Sequence, residues 1–467
     1  MLKGININTI LIMVLICLLT SGTIWYERHM AYYGEIVLVN PDEETVAIYV
    51  EPEDTATRAA AGYLAYAIER AFGVAPDTVT EIEDDGRHYI HIICEEKNSS
   101  GEALAVGPDG EITESDQDNK AEIIITTAAN AVLPAETDLP VYSVALKTDG
   151  VEIRVSGRKD CFGAVKAVTD RWLQKDCGLE TEGELRISNR MIKEQLSGLP
   201  VELDGEIKIL TQNLRYIDDA GGNSVEERAL RFEKLVREYQ PDLIGTQECT
   251  FQWLQLLKDM FSEDYEVFGC SRLGPDSEKE EWNAVLYRKD RFTYLDGDTF
   301  WLSNTPGTIA SKLNYDGPVR ICTWVQLQDS ETGKEVLFSN THLQNGETDY
   351  YRELRAKQAD ILLRQLRKGQ NRLANVPGFL TGDFNGVADE PFYSQVTEIY
   401  RDAGVTAVDN NSAVDYSFHA YGNAEALVDF CFCSPKTITV LDYRILDDQY
   451  GGYVSDHYGV LVTAVVN

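Results

Sequence analysis

The sequence predicts a mixed α/β protein with at least two globular domains behind an apolar N-terminal segment. Short apolar runs that are typical of buried strands alternate with longer amphipathic stretches that are typical of helices. The chain has 467 residues, which is too long for a single core of ordinary size. Its hydrophobic content of 43% is that of a globular protein rather than a disordered one.

The N-terminal segment is an uncharged and largely apolar run from Thr9 to Trp25. Its length is at the short end of what spans a bilayer. Lys3 precedes the run, and Glu27 and Arg28 follow it. Residues 1–34 are therefore predicted to be a signal anchor or a cleaved signal peptide with a short stalk. The first alternative attaches the protein to the cell membrane and the second secretes it, and both place the body outside the cytoplasm.

The charge of the chain restricts its partners. Asp and Glu number 77 against 42 for Lys and Arg, which gives a formal net charge of -35. A surface this acidic repels nucleic-acid backbones and anionic membranes at long range, so we expect no tight binding of nucleic acid. The nine cysteines include no C-x-x-C pair and no Cys/His spacing of the zinc type. Disulfides are possible in an exported body, but the spacing demands none.

A small α/β domain is predicted over residues 35–189, in the order β-α-β-β-α. Asp149-Gly150 lies between two alternating segments, which predicts a β-hairpin. An acidic stretch from Lys97 to Lys120 predicts a solvated loop. The predicted helices are Ala56–Phe72 and Cys161–Lys175, and the predicted strands are Ile36–Val39, Val46–Val50, Tyr89–Ile93, Ile123–Thr127, Tyr142–Lys147 and Val151–Ser156.

This order of elements resembles the accessory α/β domain that precedes the catalytic barrel of β-hexosaminidases and α-glucuronidases. The resemblance implies a supporting role, or contact with a glycan, for residues 35–189. Residues 190–205 contain Gly198 and Pro200 and predict a linker to the second domain.

The second domain, residues 206–467, carries polar side chains at or near the ends of several strand-like runs. These side chains are Asn213, Glu248, His342, Asp383 with Asn385, Asp429, and Asp456 with His457. Catalytic groups collect where loops leave a rigid sheet. The set is rich in oxygen and has no cysteine ligand. It therefore favours Mg²⁺, with Mn²⁺ or Ca²⁺ as alternatives, over zinc.

Asp383 and Asn385 are two residues apart, so on an extended backbone their side chains point to the same face. A carboxylate beside a carboxamide suits the holding of a water or a phosphate next to a hard cation. A strand followed by an Asn-Gly turn is the alternative interpretation. Asp429 lies inside an apolar strand and needs a partner there, and a histidine is the natural one.

A series of motifs extends this pattern along the domain. They are TQNLRY, PDLIGTQE, EWNAVLYRKDRF, FSNTHLQ, GFLTGDFN, VDFCF and SDHYGV. In these residues and in their order, the stretch from about Glu206 to Asn467 closely resembles the endonuclease/exonuclease/phosphatase superfamily, which includes DNase I. The resemblance implies a four-layer α/β/β/α sandwich whose active site lies where the loops of the two sheets meet.

The resemblance also implies a role for each polar residue. Glu248 matches the main metal ligand, assisted by Asn213 and Asp456. Asp383 would orient or deprotonate the attacking water, and Asn385 would hydrogen-bond the scissile phosphate.

Two histidines complete the implied site. His457 would contact the phosphate or transfer a proton, and Asp429 would hold it. His342 matches a second histidine, with Glu281 as its expected carboxylate partner. The candidate substrate contacts are Arg272, Arg320 and His419.

The expected function is hydrolysis of a phosphoester, diester or monoester, by an extracytoplasmic enzyme that depends on a divalent metal. The substrate class stays open, because the sequence has no basic, aromatic-interleaved stretch for reading single strands and no long apolar hairpin for entering lipid. The alternative is a glycan-binding or adhesive surface protein whose second domain is an inactive scaffold. A glycosidase is supported only by the resemblance of the first domain.

Overall fold

The computed structural model describes residues 35–39, 46–50, 54–82, 88–94, 142–146, 150–155, 158–174, 185–196, 199, 203, 205–368 and 376–467. The chain divides into two compact units, Met1–Glu202 and Leu203–Asn467. The predicted membrane segment 1–34, the predicted loop 97–120 and the predicted strand 123–127 lie outside the described residues. Among the residues that are described, no helix is long and apolar enough to span a membrane.

The first unit is built on a five-stranded sheet and a separate pair of strands. Its strands are β1 (Glu35–Val39), β2 (Val46–Val50), β3 (Asp77–Val79), β4 (His88–Cys94), β5 (Tyr142–Leu146), β6 (Gly150–Val155) and β7 (Leu185–Ser188). The sheet order is β3-β2-β4-β6-β5, and β1 pairs with β7. Only β5 is antiparallel to its neighbour in the five-stranded sheet. The sequence did not predict β3 or β7.

Helices α1 (Thr55–Phe72) and α2 (Arg158–Trp172) pack against each other and against this sheet. The side chain of Asp54 caps the start of α1, and Gly73, with φ of 74°, ends it in the left-handed conformation. The predicted hairpin is confirmed, since β5 and β6 pair in antiparallel register.

The predicted linker begins too early. Residues 189–191 form a helical turn, which continues as a π-helical turn at Ile192–Leu196. Met191, Ile192 and Leu196 are buried. The apolar side chains at these positions therefore make residues 190–196 part of a packed structure rather than of a linker.

The second unit contains two sheets that pack face to face. The strands of the seven-stranded sheet are β8 (Glu206–Asn213), β9 (Leu243–Gln247), β10 (Tyr265–Phe268), β11 (Val285–Arg288), β17 (Asp409–Asn410), β19 (Ile438–Leu446) and β20 (Gly459–Val466). The strands of the six-stranded sheet are β12 (Phe292–Trp301), β13 (Ile321–Asp329), β14 (Glu335–His342), β15 (Gly378–Asp383), β16 (Arg401–Asp402) and β18 (Asp429–Cys433).

Their orders are β10-β11-β9-β8-β20-β19-β17 and β12-β13-β14-β15-β18-β16. One apolar core joins Ile209 and Val462 of the first sheet to Val325, Phe338 and Phe379 of the second. Side chains alternate along each strand, so Leu210, next to Ile209, faces the opposite side of its sheet.

Helices cover both outer faces. They are α3 (Val225–Tyr239), α4 (Phe251–Phe261), α5 (Asp349–Lys368), α6 (Pro391–Thr397) and the short α7 (Ala403–Thr406). Phe232 of α3 and Trp253 of α4 pack on the seven-stranded sheet, whereas Leu362 of α5 and Phe392 of α6 pack on the six-stranded sheet. The predicted four-layer α/β/β/α sandwich of the DNase I type is therefore confirmed.

Strand register brings polar side chains together at one end of this sandwich. β14 and β15 are parallel with His342 opposite Asp383, and β15 and β18 are antiparallel with Asp383 opposite Asp429. In the other sheet, Asn213 is opposite Gln247, and Glu248 follows directly. Cys249, Cys270, Cys322, Cys431 and Cys433 of the second unit carry free thiols.

Candidate active site

His342, Asp383 and Asp429 form one row across three adjacent strands, at the strand ends on one side of the six-stranded sheet. All three side chains are buried, as is His457 from the turn before β20. Buried titratable groups on packed strands are held in fixed positions, which catalysis requires.

His457 and Asp429 form a hydrogen-bonded pair, with 2.7 Å between Nδ1 of the ring and Oδ2 of the carboxylate. Burial lowers the pKa of His457, but the charges of Asp429, Asp383 and Asp456 outweigh burial and raise the pKa to about 10. The imidazole is therefore protonated at neutral pH. Its other nitrogen, Nε2, lies 3.9 Å from Oδ2 of Asp383.

Asp383 accepts two hydrogen bonds that fix its carboxylate. Oδ1 accepts from the backbone N–H of Asn385 at 2.8 Å, and Oδ2 accepts from Nδ2 of Asn213 at 2.9 Å. Burial raises the pKa of Asp383 above the usual carboxyl range, and the negative charge of Asp429 adds to this increase. A carboxylate with a raised pKa is a stronger base, which suits it to accept a proton from water.

Asn213 links Asp383 to Glu248. Its Nδ2 also lies 3.3 Å from Oε1 of Glu248, whose Oε2 accepts from the backbone N–H of Tyr216 at 2.9 Å. Glu248 has φ of 56° and Asn385 has φ of 50°, both in the left-handed region that non-glycine residues seldom adopt. Such strain is common at functional sites, and here it aims two polar side chains off the ends of β9 and β15.

The oxygen atoms at this end of the site fit a hard divalent cation. Glu248, Asp383 and Asp456 line the same cleft. Glu248 and Asp383 share the amide of Asn213, so two negative charges adjoin one another with a single NH₂ group between them. A divalent cation would offset this repulsion, and carboxylate oxygens are ligands that Mg²⁺ prefers. Oδ1 of Asn213 accepts from the backbone N–H of Arg215 at 2.9 Å.

Asp383, Asp429 and His457 also offer ligand atoms within 4.8 Å of one another. His457 and Asp429 are bound to each other through Nδ1 and Oδ2, and a cation there would sit beside a protonated ring. Glu248 and Asp456, which line the same cleft, take no part in that bond and are the candidate ligands that the family resemblance implies.

His342 lies on the other side of Asp383. Its Nε2 accepts from Nδ2 of Asn385 at 2.8 Å and is 3.5 Å from Oδ2 of Asp383. Burial, followed by the charges of Arg320 and Arg272, holds the pKa of His342 well below its usual range. His342 is therefore neutral and serves to orient Asn385.

The expected pairing of His342 with Glu281 is not a hydrogen bond in the structure. Their closest atoms, Nδ1 and Oε2, are 4.0 Å apart. Nη1 of Arg272 donates to Oε1 of Glu281 at 2.8 Å instead, and Nη2 lies 2.5 Å from Oε2 as an ion pair. The guanidinium carries a permanent positive charge, which the neutral imidazole of His342 lacks.

Arg320 lines the cleft and carries an unsatisfied donor. The side chain is only 5% exposed, and Nη1 has no hydrogen-bond partner among the described residues. Burial and the neighbouring charge of Arg272 lower the pKa of Arg320 to about 10, so it stays protonated. A buried cationic N–H calls for an anionic partner, and a phosphate oxygen would supply one.

These groups share one cleft of roughly 840 Å³. Of the residues predicted for the site, those that line it are Glu248, Arg272, Glu281, Arg320, His342, Asp383, Asn385, Asp456 and His457. Asn213 and Asp429 lie directly behind this lining and hydrogen-bond Asp383 and His457.

His419 was expected to contact substrate, and the structure places it elsewhere. Its ring is 2% exposed and packs against Tyr458 and Tyr453, with centroid distances of 4.1 and 4.6 Å. The preceding residue, Phe418, lines the cleft and packs on the ring of His457. The backbone N–H of His419 donates to the carbonyl of Asp456, so this residue supports the site from behind.

A buried ion pair that the sequence analysis missed holds two loops of the cleft. Arg355 on α5 binds Glu390 through Nε and Nη2, both at 2.7 Å. Its Nη1 donates to the carbonyls of Gln344 and Gly346. A Cβ at Gly386 would lie 2.6 Å from Oε2 of Glu390, so only glycine fits the turn after Asn385. An arginine on the buried face of an amphipathic helix was the available signal.

The family model described as "Endonuclease/Exonuclease/phosphatase family" matches residues 210–457, which is more than half of the chain. The chain belongs to this family. Membership of this family identifies the chain as a phosphoester hydrolase. Enzymes of the family generally depend on a divalent metal. A comparison with curated proteins found no significant match.

Solved structures of the endonuclease/exonuclease/phosphatase family resemble the second unit. A family protein from Bacteroides vulgatus is 27% identical, with a TM-score of 0.51, over 56% of this chain and 100% of that chain. One from Bacteroides thetaiotaomicron is 26% identical, with a TM-score of 0.52, over 57% and 100%. The mannosyl-6-phosphatase Bt3783 of Bacteroides thetaiotaomicron is 29% identical, with a TM-score of 0.50, over 56% and 99%.

Proposed function

We propose that this protein is a divalent-metal-dependent phosphatase in which Asp383 activates the attacking water. The observation that carries the proposal is the convergence of three kinds of group on one cleft. They are the base Asp383, the protonated His457 and the unsatisfied cationic donor of Arg320. Hydrolysis of a phosphate ester uses all three groups, because the attacking water must lose a proton while the negative charge on the phosphate oxygens is neutralised.

Asp383 and His457 have different roles in the proposed reaction, which follow from the distance between them. Oδ2 of Asp383 and Nε2 of His457 are 3.9 Å apart, so both groups approach the phosphorus from the side of the attacking water. In an in-line displacement the leaving oxygen departs on the opposite side. The imidazolium therefore donates its hydrogen bond to a non-bridging phosphate oxygen, and solvent protonates the leaving oxygen. Asp383 takes the proton of the water as its oxygen bonds to phosphorus.

Arg320 holds the phosphate in that position through its unsatisfied donor. The amide of Asn385 donates to Nε2 of His342 and to the carbonyl of Leu343, so it fixes the turn beside the phosphate. A divalent cation at Glu248, Asp456 and Asn213, when bound, would neutralise charge on phosphate oxygens.

A monoester is the proposed substrate in preference to a polynucleotide. The net charge of -35 disfavours a long polyanion. The 29% identity to an enzyme titled a mannosyl-6-phosphatase favours a small phosphorylated sugar.

The test is a metal-supplemented screen of the full chain against sugar phosphates, inositol phosphates, phospholipids, DNA and RNA. Release of inorganic phosphate from a monoester in Mg²⁺ or Mn²⁺, abolished by chelation, is the expected result. Fragment release from a diester, with no free phosphate, would contradict the phosphatase assignment.

Location outside the cytoplasm is part of the proposal and is supported by the apolar run Thr9–Trp25. The N-terminal residue of the mature protein tests it. A chain that begins at Met1 in the membrane fraction, or one cleaved after the apolar run and found outside the cell, agrees with it. Recovery of the intact chain from the cytosol would contradict it.

A further inference from the structure

The cleft is lined by more residues than the phosphate chemistry uses. Asn345, Gly346 and Glu347 form the loop between β14 and α5, and Arg352 lies in the first turn of α5. All four line the same cleft as Asp383 and His457. None of them belongs to the group that would bind the cation, the water or the phosphate. This part of the cleft is therefore available to the remainder of the substrate.

The N–H donors of the Arg352 side chain have no acceptor among the described residues. Its nearest acidic atom is Oε1 of Glu390, at 4.0 Å, which is too far for a hydrogen bond. Both oxygens of Glu390 already accept from Arg355 at 2.7 Å. Within the described residues the guanidinium of Arg352 makes no hydrogen bond, and its side chain is 46% exposed. A planar set of N–H donors thus faces the cleft.

The backbone that carries this arginine is held firmly. Nη1 of Arg355 binds the carbonyls of Gln344 and Gly346. Gly346 has φ of 134°, and a Cβ there would lie 2.3 Å from the ring of Tyr351. These contacts hold the loop in place, and Arg352 extends from a helix that packs on the six-stranded sheet. A ligand-binding side chain on rigid elements selects between substrates better than one on a free loop.

The charges around Arg352 decide which chemical group it would take. Glu347 lines the same cleft, and no hydrogen bond neutralises it among the described residues, so a second phosphate or a carboxylate would meet its negative charge. A neutral hydroxyl group meets no such repulsion. A guanidinium donor and a carboxylate acceptor that line the same cleft also match a hydroxyl, which both donates and accepts.

We propose that Arg352, with Glu347, binds hydroxyl groups of the alcohol part of the substrate. The preferred substrate class is then the phosphate monoester of a neutral, polyhydroxylated compound such as a hexose. This inference rests on the proposed phosphatase function and adds the residue that selects the alcohol. Arg352 is a specificity-determining residue, since it does not touch the reacting atoms.

The test compares two esters in the full chain with Mg²⁺. Mannose 6-phosphate presents hydroxyls to the far part of the cleft, whereas methyl phosphate does not reach it. Arg352→Gln should reduce kcat/KM for mannose 6-phosphate about tenfold more than for methyl phosphate. A tenfold difference is what the loss of one hydrogen bond to a charged group would cause. Arg364→Gln is the matched control, because Arg364 lies on the same helix, is 63% exposed and pairs with Asp360. It should affect both esters equally.

Two results of this assay would overturn the inference. Equal losses for the two esters would mean that Arg352 acts on the phosphate or on the fold. A larger loss for fructose 1,6-bisphosphate than for mannose 6-phosphate would mean that the arginine binds a second anion.

A binding measurement keeps the inference testable if the chain hydrolyses none of these esters and the proposed function fails. Calorimetric titration with mannose 6-phosphate should give a Kd about tenfold weaker for Arg352→Gln than for Arg364→Gln. Equal Kd values for the two variants, or no binding by the wild type, would overturn it.

Discussion

The imidazole of His457 and the carboxylate of Asp429 are joined by a 2.7 Å hydrogen bond between Nδ1 and Oδ2, with both side chains buried. The pair keeps the ring protonated well above neutral pH and leaves Nε2 facing the cleft. The phosphatase mechanism depends on this charge.

Asp429→Asn should move the activity profile to lower pH. The pKa of His457 is about 10 beside Asp429, so the wild type keeps the imidazolium to high pH. Without the carboxylate the pKa falls toward or below the ordinary 6.5, because burial then acts without its main opposing charge. We expect the kcat of the variant to fall at least tenfold between pH 6 and pH 8.5, and that of the wild type to show no such fall.

Asp402→Asn is the control for this profile, since Asp402 is a buried acid of the same unit that caps α7. It should lower stability without changing the pH profile. A pH profile of Asp429→Asn identical to that of the wild type would contradict the assigned role.

The raised pKa of His457 also affects stability. The contribution of His457 to the free energy of unfolding is complete below pH 6.5 and is lost as the pH rises toward 10.

Mg²⁺ should stabilise the second unit through Glu248. A cation that binds only the folded state at about 100 times its Kd adds about 2.7 kcal/mol to the free energy of unfolding. This corresponds to a rise in Tm of roughly 5 to 10 °C. Glu248→Gln should abolish most of the rise, while Glu263→Gln, an exposed acid at the end of α4, should retain it. Equal rises in both variants would exclude Glu248 as the principal ligand.

Gly386→Ala tests the ion pair behind the Asp383–Gly386 turn. The added methyl group would lie within 2.7 Å of Glu390, Arg355 and Phe392, so at least one of them must move. Such overpacking costs about 1 to 3 kcal/mol. We expect a lower Tm and a lower kcat, because the same turn carries Asn385.

The control for this substitution is Gly307→Ala, where a Cβ would meet nothing within 4 Å. Urea unfolding and steady-state assays of both variants are the measurements. A Gly386→Ala variant as stable and active as the Gly307→Ala variant would show that the turn does not depend on close packing.

Much of the active site could be predicted because strand ends are visible in sequence. Asp383 follows an apolar run, and Asp429 interrupts one, so each polar residue stands out from its neighbours. The strand register then brings the polar residues together, because His342, Asp383 and Asp429 are paired positions on neighbouring strands.

Contacts between separate loops could not be predicted from the sequence. Whether Glu281 pairs with His342 or with Arg272 depends on the fold of a loop that no periodicity describes. His419 follows Phe418 in the chain, yet only the tertiary packing shows which of the two rings faces the cleft.

Some elements also lack a clear pattern. The edge strand β12 is exposed along much of its length and therefore does not alternate between apolar and polar residues. A bulge between Val440 and Asp442 interrupts the alternation of β19. Helix α3 begins at Val225, although its amphipathic pattern is clear only from Ala229, and the capping box of Ser224 and Glu227 is the local signal for the start.

The rate of phosphate release from mannose 6-phosphate by Asp383→Asn, in Mg²⁺, tests the central claim most directly. Loss of a general base lowers rates by about 10²- to 10⁴-fold, so we expect a kcat at least 100-fold below that of the wild type. Asp389→Asn, an exposed acid shortly after the same turn, should keep the wild-type rate. An Asp383→Asn variant that is folded, binds Mg²⁺ and turns over at the wild-type rate would contradict the account.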